Sequence, residues 1–324
     1  MKVERLPLEE VRWLGQQVVR ITGTLDDLAA SLPRFSRRDF THENALNEYL
    51  DLILRDPVPD DERWVPVSTV SKRYVLIQHQ DTIGMLQAAF EQQNWQSEAT
   101  NATVWLSDYG ERMRVEVSLP VEPVEATVGD KIAAEVVLWN SVDRSRAFEL
   151  AIRWRRLICN NGLTIWEGDR LRKVHHADYM SAASPIDFLV ERLPKSRRLV
   201  EDLRSWAEIK FDPTSLVQWV DTDVTARWGK LRAARVFHVL RTGYDCAVGR
   251  PLEGQSASQI RVSLTSPVPG SPAPAGSAYD VYQGLLWVVG HGRSIEQEEE
   301  LLADVLPLMA DLFPALPERI RGAE

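Results

Sequence analysis

Residues 148–155 alternate between apolar and polar side chains, and this pattern restricts the chain to folds that contain a sheet. Successive side chains of a β-strand point to opposite faces, so one set is predicted to face the core and the other to face solvent. The core set comprises Phe148, Leu150, Ile152 and Trp154. Arg153 and Arg155 belong to the opposite set and are expected to be exposed.

A β-hairpin is predicted for residues 99–119, where the arms ATVWL and RMRVEVSL flank the turn SDYG. Gly110 suits this turn because glycine readily adopts a positive φ. Two more strands are expected at 132–140 and 146–158, and the segment WVPVSTV marks the start of this β-rich part.

Amphipathic helices are predicted near the N-terminus. Apolar residues recur at spacings of three and four over 8–21 and over 43–54, which is the helical period. Between these segments, Thr24 and Asp27 resemble a capping box that opens a short helix ending at Pro33.

Helices are also predicted after the strands. Pro194 separates two helical segments, and a longer helix is expected over 223–241. A final helix pair is predicted at 278–289 and 295–312, with Ser277 as the first cap.

Together these elements predict an α+β fold with a mostly antiparallel sheet and with helices segregated before and after it. The expected organisation is an N-terminal helical segment at 1–60 and an α+β core with a basic middle at 61–265. A linker rich in Pro, Gly and Ser follows at 266–276, and a C-terminal helix pair at 277–324 is expected to pack on the core.

The composition is that of an ordinary globular protein, with 44% hydrophobic and 26% charged residues in a chain of 324. The two cysteines, Cys159 and Cys246, provide no disulfide framework and fit a reducing compartment. The N-terminus has no apolar stretch of the signal-peptide type, and the most apolar run, at 285–289, is too short to span a bilayer. The expected location is therefore the cytoplasm.

Basic residues are concentrated in the middle of an otherwise acidic chain. Residues 144–241 contain 19 Lys and Arg against 12 Asp and Glu, whereas the whole chain has a net charge of −9. Tryptophans are interleaved with the basic clusters, and basic side chains next to stacking aromatics are typical of surfaces that bind single-stranded nucleic acid. The alternative interpretation is a solvated charged face over tryptophans of the core.

Common enzyme signatures are absent from the sequence, which contains no GxGxxG motif after a strand, no P-loop, no HExxH and no GxSxG. His175, His176 and Asp178 resemble a metal cluster, but a structural role is favoured because adjacent residues of a strand face opposite sides. Cys159 follows two arginines that could activate its thiol, yet the role of a small buried hydrophobe is favoured. We therefore expect no catalytic residues, no metal and no cofactor.

Four motifs occur in a recognisable order: RYVLIQHQDTIGML, VVLWNSVDRS, RWRRLICNNGL and SAYDVYQGLLWVVGH. Their distinctive residues are Asn140, Ser141, Arg156, Cys159, Asn160, Asn161, Gly162, Tyr279, Tyr282 and His291. Over residues 64–292 this order resembles a family of phage and plasmid proteins built on a domain of unknown function, numbered 932. Leu286 and Trp287 stand where that family usually has a polar pair, so no role of that pair is transferred.

The resemblance implies an origin on phages, plasmids or integrated elements and no established reaction. The family's hairpin sheet backed by helices is similar to the core of Rad52-like single-strand annealing proteins, which is an analogy of fold alone.

Our leading hypothesis is a non-enzymatic protein of mobile-element type that binds single-stranded DNA along a basic groove, as an oligomer, with strand annealing as a further activity. The predicted contacts are Arg153, Arg155, Arg156, Arg170, Arg172 and Lys173 for phosphates and Trp166 for base stacking. One alternative is a protein–protein adaptor of a phage or defence system that uses its acidic terminal helices. Another is an enzyme that uses Cys159 or the pair His175 and His176.

Overall fold

The computed structural model describes residues 1–96, 100–127, 130–157, 171–173, 185–292, 294–314 and 316. Within them the fold is mixed α+β and mainly antiparallel, as predicted. The strands are β1 (Lys2–Leu6), β2 (Arg12–Trp13), β3 (Gln16–Thr24), β4 (Phe35–His42), β5 (Ala45–Arg55), β6 (Val65–Ser71), β7 (Asn101–Ser107), β8 (Arg112–Ser118), β9 (Val124–Thr127), β10 (Asp130–Ser141), β11 (Phe148–Arg156), β12 (Leu171–Lys173), β13 (Tyr244–Val248) and β14 (Val262–Pro267).

Most helices follow the strands along the chain. They are α1 (Leu25–Ser31), α2 (His79–Gln92), α3 (Pro185–Glu208), α4 (Leu216–Trp219), α5 (Thr225–Trp228), α6 (Lys230–Thr242), α7 (Ala278–Gly290) and α8 (Ile295–Leu312). A π-helical turn, Val220–Val224, lies between α4 and α5. None of the helices in the described part of the chain is long and apolar enough to cross a membrane.

The largest sheet has the strand order β1-β3-β7-β8-β10-β11-β12, with β2 paired to β3 and β9 paired to β10. The strands β4, β5 and β6 form a separate three-stranded sheet, and β13 pairs with β14 in a two-stranded one. The central strands β10 and β11 are buried along most of their length, which is typical of strands covered on both faces.

Residues 8–21 do not form the predicted helix, because they lie mostly in the β2–β3 hairpin. The turn consists of Leu14 and Gly15, whose φ angles of 45° and 79° are in the left-handed region. Two such residues in succession are what a tight hairpin turn requires. Leu8 and Leu14, which would have faced the core from a helix, are exposed.

The helix predicted at 43–54 is also wrong, since this segment is β5. Glu43 and Asn44 have φ angles of 49° and 66° and form the turn between β4 and β5. Leu46 and Tyr49 are exposed on this hairpin, whereas Ile53 is fully buried. The helical spacing of the apolar residues therefore did not reflect a buried helix face.

Two helix boundaries differ from the prediction. Helix α3 runs through Pro194 without interruption. The helix expected at 223–241 is instead divided at Gly229, which ends α5 and precedes α6 with a φ of 77°. A positive φ is incompatible with a continuous right-handed helix.

Several predictions are confirmed. The strands β7 and β8 form the expected hairpin, and Gly110 has a φ of 74° in its turn. Thr24 caps α1, Ser277 caps α7, and α8 has the predicted bounds. The four apolar residues of β11 that were assigned to the core are all buried.

The chain forms two compact units. The first unit consists of Met1–Val121, Ala134–Arg153 and the described residues between Trp166 and Lys195. The second unit takes Glu122–Ala133 and the described residues of Trp154–Ile165 and Ser196–Glu324. Three of the boundaries fall within β10, β11 and α3, and each unit is considered separately below.

Candidate functional site

Arg153, a predicted phosphate contact, is buried within the first unit. It is 4% exposed, and its Nη2 and Nε donate hydrogen bonds to Oε2 of Glu135 over 2.6 and 3.1 Å. Its Nη2 also lies 3.1 Å from Oε2 of Glu116. The expectation that Arg153 faces solvent is wrong, because β11 lies between β10 and β12 and both of its faces are largely covered.

Arg156 forms a second buried ion pair, within the second unit. Its Nε donates to Oδ1 of Asp130 over 2.6 Å, and the hydroxyl of Tyr279 donates to Oδ2 of the same carboxylate over 2.6 Å. Burial and this hydrogen bond raise the pKa of Tyr279, which keeps the phenol protonated as a donor. Two motif residues, Arg156 and Tyr279, therefore meet at one buried carboxylate.

Two other motifs meet inside the first unit. Nδ2 of Asn140 donates over 3.0 Å both to the carbonyl oxygen of Ile77 and to Nδ1 of His79. Nε2 of His79 lies 2.8 Å from the carbonyl oxygen of Gly110, so this nitrogen carries the proton of a neutral imidazole. His79 is fully buried, and these contacts give the motif residues a structural role.

Only some of the remaining residues that were predicted to contact nucleic acid lie in the part of the chain that the structure describes. Arg155 is half-buried on β11. Arg172 and Lys173 belong to β12, where they lie opposite Glu149 and Phe148 in an antiparallel register. The predicted residues that lie outside the described part of the chain are Trp166, Arg170, Cys159, His175, His176 and Asp178.

A cleft of about 870 Å³ lies in the second unit. Its walls come from the start of α6, from β13, from the turn between α7 and α8, and from the first turns of α8. The volume is within the range of about 300–1,000 Å³ that is usual for small-molecule sites. Three cationic side chains line it, Lys230, Arg232 and Arg235, together with one described carboxylate, Glu298.

A hydrogen-bonded frame holds one wall of this cleft. Nε and Nη2 of Arg235 donate to the two carboxylate oxygens of Asp245 over 2.6 and 2.5 Å, and Nε1 of Trp287 donates to Oδ2 over 2.9 Å. Burial raises the pKa of Asp245, but these donors outweigh it and bring the pKa below its usual value. His291, which lines the cleft, stacks on Trp287 with ring centroids 3.7 Å apart, so this stacking connects the hydrogen-bonded frame to the cleft wall.

Cys246 also lines the cleft, and its environment disfavours the thiolate form of its side chain. Burial raises its pKa to about 11, and the neighbouring carboxylate of Asp245 acts in the same direction. A thiol of this kind is protonated at neutral pH and is a poor nucleophile. Among the described residues, no group of three or more His, Cys, Asp and Glu could hold a metal ion.

Three exposed arginines, here called the basic ridge, lie elsewhere in the second unit: Arg241, Arg250 and Arg261. The backbone N–H of Gly249 donates to the carbonyl oxygen of Arg261. Arg250 directly follows Gly249, so the backbones of Arg250 and Arg261 lie close together. His238 of α6 lies beside both Arg241 and the backbone of Ile260, so Arg241 is close to the same stretch.

The basic region predicted from the sequence, 144–241, ends at Arg241 and so does not include Arg250 and Arg261. A signal was present, because residues 227–276 contain seven Lys and Arg against two Asp and Glu. The cleft could not be predicted in this way, since its walls come from segments far apart in sequence.

Comparison with known proteins identifies the family. Neither the curated proteins nor the solved structures contain a significant match to this chain. The family model described as Domain of unknown function (DUF932) matches residues 66–300, which is more than two thirds of the sequence. The match includes all four motifs in full, the basic ridge, and every residue of the cleft lining except Leu301. The chain therefore belongs to the DUF932 family.

Proposed function

We propose that this protein is a non-enzymatic nucleic-acid-binding protein, that single-stranded DNA is its favoured partner, and that the basic ridge is the contact surface. The observation that carries the proposal is a set of exposed arginines whose charge is not neutralised by any described residue. Arg241, Arg250 and Arg261 form no ion pair with any residue of the described ranges.

The contrast with other arginines of the chain supports this choice. Arg153 and Arg156 are held by buried carboxylates, and Arg227 pairs with Asp304 and Asp311. A phosphate that bound one of these arginines would first have to break its ion pair. The free energy lost in this step would offset part of the free energy gained from phosphate binding. An exposed arginine without a carboxylate partner can neutralise a phosphate without this loss.

The surroundings of the basic ridge also suit a single strand. Tyr244 is 43% exposed at the start of β13, three residues from Arg241, and exposed aromatic rings can stack on unpaired bases. The rest of the chain is acidic, and this excess charge would repel nucleic acid from other surfaces.

The finer parts of the proposal depend on the family resemblance. They are a mobile-element origin, strand annealing in the manner of Rad52-like proteins, assembly into an oligomer, and action in the cytoplasm. We expect the basic ridges of neighbouring copies in such an oligomer to form one longer contact surface along a nucleic-acid strand.

The test is fluorescence anisotropy of labelled single-stranded oligonucleotides at several salt concentrations. The variant replaces the three ridge arginines with alanine, and the matched control replaces Arg12, Arg34 and Arg73, three exposed arginines of the first unit. Three lost phosphate contacts should reduce the log–log salt slope by about 2 and weaken binding strongly at low salt. The control should bind as the wild type does.

The proposal is wrong if the wild type shows no binding at ~100 mM salt on oligonucleotides of several lengths. It is also wrong if the two triple variants lose the same affinity. Parallel titrations with double strands test the preference for single strands.

A protein–protein adaptor remains the alternative function. Its favouring observation is the β4–β5 hairpin, on which Leu46 is 55% and Tyr49 is 78% exposed. The terminal helices supply less apolar surface than expected, because the side chains of α7 are almost all buried. An adaptor of this kind predicts no binding of oligonucleotides in the titration above.

A further inference from the structure

The start of α6 in the cleft carries two cations that are held only by neutral groups. Nζ of Lys230 donates to the carbonyl oxygen of Gln255 over 2.9 Å. Nη2 of Arg232 donates to Oε1 of Gln297 over 2.6 Å, and its Nη1 reaches the carbonyl oxygen of Trp228 over 3.4 Å. Within the described ranges neither side chain has a carboxylate partner.

The backbone at this point adds to the positive potential. Helix α6 is 13 residues long, its N-cap is Gly229, and no side chain caps its first N–H groups. The first turn contains no acidic residue. Uncapped N–H groups and the positive end of the helix dipole together favour an anion.

An independent observation comes from Trp228, which also lines the cleft. Its side chain is 3% exposed, and its Nε1–H has no acceptor among the residues that the structure describes. A buried donor without an acceptor is costly, and an acceptor atom of a ligand would remove this cost.

The opposite wall differs in character. The first turn of α8 contains Glu296 and Glu298, and the Oγ of its cap Ser294 already accepts the N–H of Gln297. An anion is therefore favoured at the α6 side and disfavoured at the α8 side. Leu231, Val248 and Leu301 supply apolar surface for an uncharged organic portion of a ligand.

We propose that this cleft is a binding site for a phosphomonoester on a small organic group, with the phosphate at the start of α6. Lys230 and Arg232 neutralise the phosphate, and the backbone N–H groups of the first turn donate to its oxygens. The apolar side chains of Leu231, Val248 and Leu301 contact the organic group, which is about the size of a nucleoside. This chemistry has two sources, a free nucleotide and the 5′-terminal phosphate of a strand.

The site is separate from the basic ridge, so either proposal can fail alone. Trp228 lines the cleft, so we expect a ligand that binds there to change the tryptophan fluorescence of the protein, and this change is the first measure of binding. The probes are inorganic phosphate, adenosine and adenosine 5′-monophosphate, followed by calorimetry with the probe that binds best. We expect the monophosphate to bind more tightly than either phosphate or adenosine.

The variants are Lys230→Gln and the double variant Lys230→Gln with Arg232→Gln, and Lys230→Arg is the conservative control. Arg34→Gln, at an exposed position of the first unit, is a control for general charge. The single variant should weaken monophosphate binding by about tenfold, the loss expected for one charge-assisted contact. Lys230→Arg and Arg34→Gln should retain binding, and unchanged thermal unfolding midpoints would show that each variant is folded.

A second arm distinguishes the sources. An oligonucleotide with a 5′-phosphate is compared with the same oligonucleotide carrying a 5′-hydroxyl. A preference for the phosphorylated end that Lys230→Gln abolishes identifies a strand end as the ligand, and binding of the monophosphate without such a preference identifies a free nucleotide. The inference is overturned if neither the monophosphate nor the phosphorylated end binds, or if Lys230→Gln binds both as the wild type does.

Discussion

Nε of Arg156 donates to Oδ1 of Asp130 over 2.6 Å, and neither residue is more than 5% exposed. Tyr279 donates to the other carboxylate oxygen. The contact therefore joins the end of β11, the start of β10 and the first turn of α7 within the second unit. A residue that the sequence suggested as a phosphate contact is instead part of the interior.

Replacing Arg156 should destabilise the protein strongly. Arg156→Leu leaves the Asp130 carboxylate buried without its cation, and a broken buried pair typically costs about 3–5 kcal/mol. Urea unfolding followed by tryptophan fluorescence and circular dichroism measures the loss.

The matched control for this change is Arg156→Leu combined with Asp130→Asn. It removes both charges and leaves an acceptor for Tyr279, so it should recover a large part of the lost stability. Equal losses in the single and the double variant would contradict the buried-charge explanation.

Acid should destabilise the first unit through Glu116. Burial raises the pKa of this carboxyl, but its ion pairs with Arg114 and Arg153 outweigh burial and lower the pKa from 4.5 to about 2. A carboxyl with a lowered folded-state pKa stabilises the protein above its unfolded-state pKa, and this contribution is lost as the pH falls from about 4.5 to about 2. The contribution is on the order of 3 kcal/mol.

Urea midpoints measured between about pH 6 and pH 2 test this dependence. Glu116→Gln cannot titrate, so it should be less stable at neutral pH and should show a flatter profile in this window. Parallel profiles of variant and wild type would show that other groups cause the acid sensitivity.

Cys246 should be alkylated slowly at neutral pH. Burial raises the pKa of its thiol to about 11, so little thiolate exists at pH 7 and the rate should keep rising to about pH 11. Iodoacetamide labelling, followed by intact mass in a Cys159→Ala background, gives the rate for this thiol alone. The same protein in urea is the control and should be labelled quickly, whereas rapid stoichiometric labelling of the folded protein at pH 7 would refute the prediction.

Local turn chemistry explains which elements could be predicted. The hairpin of β7 and β8 has Gly110 in its turn, a residue whose conformational freedom is visible in the sequence. The turns at Leu14 and at Glu43-Asn44 place other residues at positive φ, which sequence patterns rarely indicate. The apolar spacing around those turns then matched a helix by coincidence.

The assignment of Arg153 failed for a tertiary reason. A strand with one solvated face would have exposed it, but β11 is buried on both of its faces. Glu116 lies on β8 and Glu135 on β10, the strand next to β11, and both carboxylates pair with Arg153. Charged side chains of opposite sign on neighbouring inner strands were a sign of buried charge pairing. The cleft gave no such sign, because its cations and its apolar wall become neighbours only through the packing of α6, β13 and α8.

The alternation of the two units along the chain has a consequence for synthesis. Residues 122–133 belong to the second unit, yet residues 134–153 that follow them belong to the first. A ribosome therefore begins the second unit before it has supplied the inner strands of the first, so neither unit can fold to completion as an early, independent product. Nor can either be inherited or removed as a block, because a single cut in the gene that separates one unit also divides the other.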